Sequence, residues 1–355
     1  MNRTLMIMAG GTGGHIFPAL SVAEHAQAAG WKVVWLGSKA GMEARLVPPQ
    51  GYEMAWIRFS GVRRSGLVPM VMLPLNLLVA FFQSARAIFA HRPDVVLGMG
   101  GYVAFPGGMM ASFFKRPLVI HEQNSIAGLT NRVLAGVADK VLAGFPGAFG
   151  KRKAEWTGNP VRADIAAIAA PAARYAGRTG PLRVLVLGGS QGAKALNDTV
   201  PAALSLLSEG EMPEVIHQAG AAHLEAVRAA YAKVGVPATI IPFIDDMAAT
   251  YAAVDLMICR AGASTIAELA AAGVPAILVP FPYAVDDHQT HNARFLAERG
   301  GAVLVPQGEL TPERLAGLLR SFNREKLVAM ASAARAAGKP DATRDVAEAC
   351  MRLAA

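Results

Sequence analysis

Three features of the sequence predict an α/β chain built from two tandem parallel-sheet domains. Short apolar runs alternate with helix-length stretches from end to end. A stretch rich in Pro, Gly, Ala and Arg, residues 151–183, interrupts that pattern near the middle with no strand period of its own. The pattern then restarts as it began, with a strand, a glycine loop and a helix. LMIMA (5–9) leads into GGTGG (10–14), and LRVLVL (182–187) leads into GGSQG (188–192). The two loops are about half a chain length apart, as expected of two similar units in tandem.

Composition agrees. A chain of 355 residues exceeds one ordinary core, and 53% hydrophobic against 17% charged residues excludes a disordered chain. The net charge of +8 and pI near 9.7 point to a polyanionic partner. Nucleic acid, an anionic membrane face and a phosphorylated ligand all qualify, and a generic basic surface accounts for the charge equally well. No aromatic-basic module is visible, which argues against nucleic acid. Cys259 and Cys350 stand far apart with no metal-ligand spacing, so a disulfide scaffold is excluded and a reducing compartment fits. At the N-terminus Arg3 precedes TLMIMA, a run too short for a signal peptide, which reads as the first strand of a cytosolic protein.

The first domain is expected to hold strands at 5–9, 32–36, 94–98, 117–121 and 140–144, with Ala-rich helices at 18–29 and 79–90. One segment complicates it. LVPMVMLPLNLLVAFFQSA, residues 67–85, carries no charge over 19 residues, close to the ~20 that span a bilayer. Pro69, Pro74, Asn76 and Gln83 interrupt it, and a single span would break the α/β pattern. Two readings remain. In one, Leu75, Leu78, Phe81 and Phe82 form a monotopic patch, ringed by Arg58, Arg63, Arg64, Arg86 and Arg92 for an anionic surface. In the other the helix is buried in the core. The second domain is expected to hold strands at 182–187, 214–218, 239–243, 255–259, 276–280 and 302–306, and helices near 311–320, 323–337 and 343–354 close the chain. The domain bounds expected are 1–160 and 161–340.

Glycines after a strand let backbone N–H groups approach an anion, and the next helix N-terminus adds positive potential. GGTGG, GGSQG and GMGGYVAFPGG (98–108) are therefore candidate phosphate cradles at the carboxyl ends of strands. None is a dinucleotide fingerprint or a P-loop: G-x-G-x-x-G read from Gly11 needs glycine where Ile16 stands, and GSQGAKAL lacks the P-loop lysine pattern. That disfavours a nicotinamide dehydrogenase or a kinase. In the second domain, RAGAST (260–265) follows a strand, and Thr265 with Glu268 reads either as a capping box or as a phosphate contact and a carboxylate for ribose hydroxyls. Asp286, Asp287, His288, Gln289, His291 and Asn292 crowd one loop and helix start, which suits sugar hydroxyls; their spacing is not diagnostic of a metal.

In order along the chain, GGTGGHIFPAL, GMGGYVAFPGG, HEQNSIAG, GNPVR, GGSQGA and GASTIAELAAAGVPAILVPFP…DDHQTHNA resemble the MurG family of bacterial glycosyltransferases. The resemblance implies a GT-B fold: two Rossmann-like domains facing each other across a cleft, the C-terminal helix (341–355) crossing back to complete the first. It implies transfer of N-acetylglucosamine from UDP-GlcNAc to the lipid I acceptor, undecaprenyl-pyrophosphoryl-MurNAc-pentapeptide, with no cofactor and no metal. It further implies a peripheral enzyme at the cytoplasmic face of the inner membrane, serving peptidoglycan synthesis and through it cell shape and division, alongside other cell-wall synthesis proteins. By the family pattern Ile244 would meet uracil and Glu268 the ribose. Ser190, Ala263, Ser264 and Thr265 would cradle the diphosphate, with Ile266 and Ala267 in the same run and Arg162 nearby. Gln289, Asn124, Thr12, Gly13 and Gly14 would reach the GlcNAc. His15, Glu122, Tyr102 and Asn197 match further positions tied to activity. Two residues depart from the pattern. His288 stands where a second glutamine is usual, and Ser264 stands where a larger apolar residue is usual.

Converting an α-linked donor into a β1→4 product inverts the anomeric carbon, so the implied chemistry is one in-line displacement. The attacking hydroxyl needs a base, for which His15 is the first candidate and Glu122 the second. The rivals are another GT-B UDP-sugar enzyme, such as an epimerase or a glycolipid transferase, and a nucleotide-binding regulator without turnover.

Overall fold

Each half of the chain forms its own parallel sheet in the computed structural model, which describes residues 3–59, 72–189 and 192–354. The chain divides into two compact units, Met1–Arg162 with Pro340–Ala355, and Ala163–Lys339.

The first unit holds β1 (Thr4–Ala9), β2 (Lys32–Ser38), β3 (Glu53–Ile57), β4 (Val95–Gly100), β5 (Leu118–Glu122), β6 (Lys140–Ala143) and β7 (Glu155–Trp156), in the order β3-β2-β1-β4-β5-β6-β7. β1 is central: Leu5 pairs with Val33 on one side and Val95 on the other. Buried on both faces, it must be apolar throughout, which is why LMIMA does not alternate. Two strands had no signal in the sequence. β3 is half-exposed and short, and β7 is a two-residue edge strand inside the stretch read as a linker.

The second unit holds β8 (Arg183–Leu187), β9 (Glu214–Gln218), β10 (Thr239–Ile241), β11 (Leu256–Cys259), β12 (Ala276–Leu278) and β13 (Ala302–Leu304), in the order β10-β9-β8-β11-β12-β13. Both orders reverse beside the first strand, between β1 and β4 and between β8 and β11. The carboxyl ends of such a pair open a crevice where ligands bind in doubly wound sheets.

The helix after β1 spans Gly13–Ala28 and runs through Pro18, giving up one backbone hydrogen bond, so it begins before the span 18–29 expected from the sequence. Val346, Ala347, Ala349 and Cys350 of the last helix, Ala342–Leu353, are buried in the core under the Gly13–Ala28 helix. Their three-and-four spacing makes one apolar stripe. Thr343 anchors it: its hydroxyl donates to the Val161 carbonyl at 2.7 Å and accepts from the Val161 N–H at 3.1 Å.

Candidate functional site

In the second unit, the loops after β8 and β11 and the residues beyond β12 and β13 line a cavity of about 620 Å³. Gly188, Gly189, Gly192, Lys194, Arg260 and Gln289 are among its walls. Gln289 accepts two backbone N–H bonds on Oε1, from Ala261 at 3.3 Å and Phe281 at 2.9 Å. Those bonds fix the amide's orientation. Arg260, inside RAGAST but not among the expected site residues, is anchored by the Val279 and Pro280 carbonyls at 3.1 Å and by Gln307 Oε1 at 2.6 Å. Its guanidinium stacks 5.5 Å from the Phe281 ring. A cation held this way brings positive potential to the cavity wall without a flexible stem.

The helix beginning at Ala263 carries Ser264, Thr265, Ile266, Ala267 and Glu268 in its first two turns. The capping-box reading is overturned. Gly262 is the N-cap, no side chain caps it, and Thr265 lies inside the first turn, so its hydroxyl does not close the helix start. Glu268 is held by the Tyr251 hydroxyl at 2.8 Å. Ala263 is buried, and so is Ile244 just past β10. The Ser264 hydroxyl is buried with no hydrogen-bond partner. Asn197 lies inside the unit: Nδ2 donates to the Ala219 carbonyl at 3.3 Å, and Oδ1 accepts from His217 Nε2 at 3.0 Å. Ala219 O in turn abuts Gly192, where a Cβ would come within 2.4 Å of it. Asn197 thus shapes the glycine loop from beneath. Ser190 lies outside the described residues.

In the first unit His15 stands in the first turn of the Gly13–Ala28 helix, separated from the exposed N-cap Thr12 by Gly13 and Gly14. Its Nδ1 meets Gln123 Oε1 at 2.8 Å. The ring lies against Gly100: a Cβ there would sit 2.9 Å from His15 Cε1 and Nδ1. At Gly101 a Cβ would fall 2.2 Å from the Gly10 carbonyl oxygen, so the loops after β1 and β4 touch through backbone alone. The loop 10–14 is not the open cradle expected. Glu43, fully buried, takes the Gly11 N–H at 3.1 Å and the Ser38 N–H at 2.9 Å. That amide is occupied, and a buried carboxylate beneath the loop disfavours a phosphate on top of it. A single acidic residue in KAGMEARL carried no signal of this. Tyr102 packs over Gly11 and edge-on to Phe59, and burial with the nearby Glu43 raises its hydroxyl pKa.

Glu122, at the end of β5, is the hub of the next loop. Its two oxygens accept from the Asn124 N–H (2.9 Å), Asn124 Nδ2 (3.2 Å), the Gly128 N–H (3.1 Å) and Asn131 Nδ2 (2.9 Å). Four donors occupy this carboxylate and suit it to holding Asn124 in place. Arg162 closes the first unit, half-buried, after Gly158, Asn159, Pro160 and Val161. Among the described residues no group of three or more His, Cys, Asp and Glu side chains is arranged to hold a metal ion.

One described helix, Leu73–His91, is long and apolar enough to cross a membrane. Ala80, Ser84, Ala87 and Ile88 of one face are buried, and the helix packs on β3 and on the Ala104–Phe113 helix. On the outer face Leu75, Leu78 and Phe82 are exposed at 54%, 66% and 72%, beside the exposed Arg86. Phe81 is half-buried against Phe105. Arg63 and Arg64 lie outside the described residues.

Residues 5–143 match the glycosyltransferase family 28 N-terminal domain, and residues 183–346 match the glycosyltransferase family 28 C-terminal domain. The chain is 59% identical over 354 residues, all of both chains, to the UDP-N-acetylglucosamine–N-acetylmuramyl-(pentapeptide) pyrophosphoryl-undecaprenol N-acetylglucosamine transferase of Dechloromonas aromatica (strain RCB). It is 62% identical over 352 residues, 99% of this chain and 98% of the other, to the protein of the same name from Azoarcus sp. (strain BH72). It is similar to the crystal structure of Acinetobacter baumannii MurG, with a TM-score of 0.87, 41% identity and 99% of each chain covered.

Proposed function

The chain belongs to glycosyltransferase family 28, and on that premise we propose that it is an inverting hexosyltransferase. It moves N-acetylglucosamine from UDP-GlcNAc to the C4 hydroxyl of MurNAc in lipid I, forming lipid II for peptidoglycan synthesis. The observation that carries this reading is likeness over essentially the whole chain to relatives named for that transfer. An epimerase or another UDP-sugar enzyme is not favoured, since the full-length relatives bear a transferase name.

In the displacement the acceptor C4 oxygen bonds to the anomeric carbon, the bond to UDP breaks, and the hydroxyl proton passes to a base. His15 is assigned that proton. Glu122, saturated by four donors, is assigned to the loop that presents Asn124. In the second unit Ile244 takes the uracil through its backbone and Glu268 the ribose hydroxyls. Ser190 and the run Ala263, Ser264, Thr265, Ile266 and Ala267 take the diphosphate. Arg260, Arg162 and the helix N-terminus supply positive potential for the departing charge. Gln289, Asn124, Thr12, Gly13 and Gly14 take the sugar. Tyr102 and Asn197 support the loops that these residues stand on.

The outer face of Leu73–His91 is assigned to peripheral contact with the anionic cytoplasmic leaflet of the inner membrane, where the lipid acceptor resides. Partnership with other cell-wall enzymes and roles in cell shape and division follow from the same reading. The decisive experiment is label transfer from UDP-GlcNAc to a lipid I analogue, with UDP-Glc and UDP-GalNAc as competitors. No product, or equal use of all three donors, refutes the assignment. His15→Ala is expected to abolish transfer while UDP-GlcNAc binding survives, and an equal collapse of nucleotide affinity refutes the base role. Co-sedimentation with anionic liposomes is expected to weaken with salt and in Arg86→Glu.

A further inference from the structure

Behind His15 runs a chain of hydrogen bonds whose polarity is set at its far end. The Gly158 carbonyl can only accept, so His121 Nε2, 2.9 Å away, carries a proton and donates it. Burial holds the His121 pKa down to about 4, so the ring is neutral and its Nδ1 is a lone pair. That lone pair lies 3.1 Å from Gln123 Nε2. The Gln123 amide cannot be turned round, because the same nitrogen lies 3.2 Å from the His121 carbonyl, which would repel an oxygen. Gln123 Oε1 therefore faces His15, and the atom it meets at 2.8 Å, Nδ1, must be the donor.

We infer that His121 and Gln123 are positioning residues that lock His15 as its Nδ1–H tautomer, leaving Nε2 as the basic nitrogen. An imidazole in water favours the opposite tautomer, with Nε2 protonated, and such a ring could not accept the acceptor's proton on that atom. The buried chain removes this choice before substrate arrives. Its other bonds fix the parts in place: Asn159 Nδ2 donates to the Gln123 carbonyl at 2.8 Å, and Asn131 Nδ2 donates to the His121 carbonyl at 3.2 Å. Gln123 and His121 are buried, so neither reaches substrate, and they act through His15. Within HEQN, Glu122 and Asn124 are the expected site residues, and His121 and Gln123, before and between them, carry this second task.

The inference rests on the base role of His15, and the test separates the two. The full chain is labelled with 15N-histidine, and the ring signals of His15 are assigned by comparison with His15→Ala. At a pH where the ring is neutral, the intact protein is expected to show His15 protonated on Nδ1. Gln123→Leu, with Gln123→Met as the second variant if the first does not fold, is expected to shift His15 towards Nε2–H. It should also lower kcat at least about tenfold, within the roughly 10²–10⁴ that a positioned base contributes. KM for UDP-GlcNAc should stay unchanged, and the fall in kcat should persist after correction for the folded fraction measured on the same preparation, which a general loss of structure would not give. An Nε2–H ring in the intact protein overturns the inference, and so does a folded Gln123 variant that keeps its kcat or its Nδ1–H signal. Full turnover in His15→Ala overturns the base role and with it the catalytic use of the chain, while the spectrum still reports the tautomer.

Discussion

Tyr251 donates its hydroxyl to the Glu268 carboxylate at 2.8 Å, from a ring that is wholly buried. The ribose role proposed for Glu268 asks for a carboxylate held in one rotamer, and this bond restrains it. Tyr251→Phe keeps the ring and removes the hydroxyl that makes this bond. A hydrogen bond to a charged group contributes roughly 1.5–3 kcal/mol, so KM for UDP-GlcNAc should rise about tenfold or more with kcat little changed. Steady-state kinetics checks this. An unchanged KM would mean that Glu268 is not oriented by Tyr251 or does not meet the ribose.

Ser264 gives the opposite expectation. Its buried hydroxyl has no partner, and an unsatisfied buried polar group costs about 1–3 kcal/mol. Ser264→Ala should leave stability unchanged or raise it in urea unfolding. If the diphosphate is held there through the backbone, UDP-GlcNAc affinity should also survive. A drop in affinity without a drop in stability would show that the hydroxyl itself binds.

Much of this was legible beforehand because it rests on local rules. β1 and β8 are apolar on both faces and end in glycines, and a parallel strand followed by a helix leaves little other reading. β7, two residues long, has too little sequence to signal itself. The site was legible only where polar residues crowd a strand end, as in HEQN and DDHQTHN. Arg260 gave no sign, because its role comes from carbonyls beyond β12 and from Gln307, far along the chain. Glu43 gave none either, because it acts on a glycine loop 32 residues away. Which member of HEQN holds the loop and which holds His15 depends on what each faces across β5, and no one-dimensional pattern carries that.

Acid should destabilise the fold by a definable route. His121 and His217 are both held down to about 4, chiefly by burial, against an ordinary value of 6.5. In the folded state both stay neutral until the pH nears 4, whereas in the unfolded chain they charge below 6.5. Between those values the unfolded chain binds more protons, so stability falls as pH falls through that window and is complete above it. Each histidine contributes a slope of up to about 1.4 kcal/mol per pH unit. His217→Gln should flatten the pH dependence of urea unfolding by about one proton's worth between pH 6 and 4.5 relative to the parent. An unaltered slope would mean that His217 titrates normally in the fold.

Gly100 is the sharpest test of where His15 must sit. Its φ of +97° is strained for any other residue, and an added Cβ would lie 2.9 Å from two atoms of the His15 ring. Strained backbone of this kind costs about 1–3 kcal/mol, so Gly100→Ala should lower the unfolding free energy by that order. The ring must also move away from Gly100, and with it the bond to Gln123 Oε1. For the base role proposed for His15, a displacement near 1 Å can cost roughly a hundredfold in rate. Turnover should therefore fall far more than stability, and UDP-GlcNAc affinity should hold, since the nucleotide is assigned to the other unit. Isothermal titration with UDP-GlcNAc, urea unfolding and label transfer on the same preparation separate the three effects. If turnover falls only in proportion to the folded fraction, the position of the His15 ring does not limit the reaction, and the base role proposed for His15 is overturned.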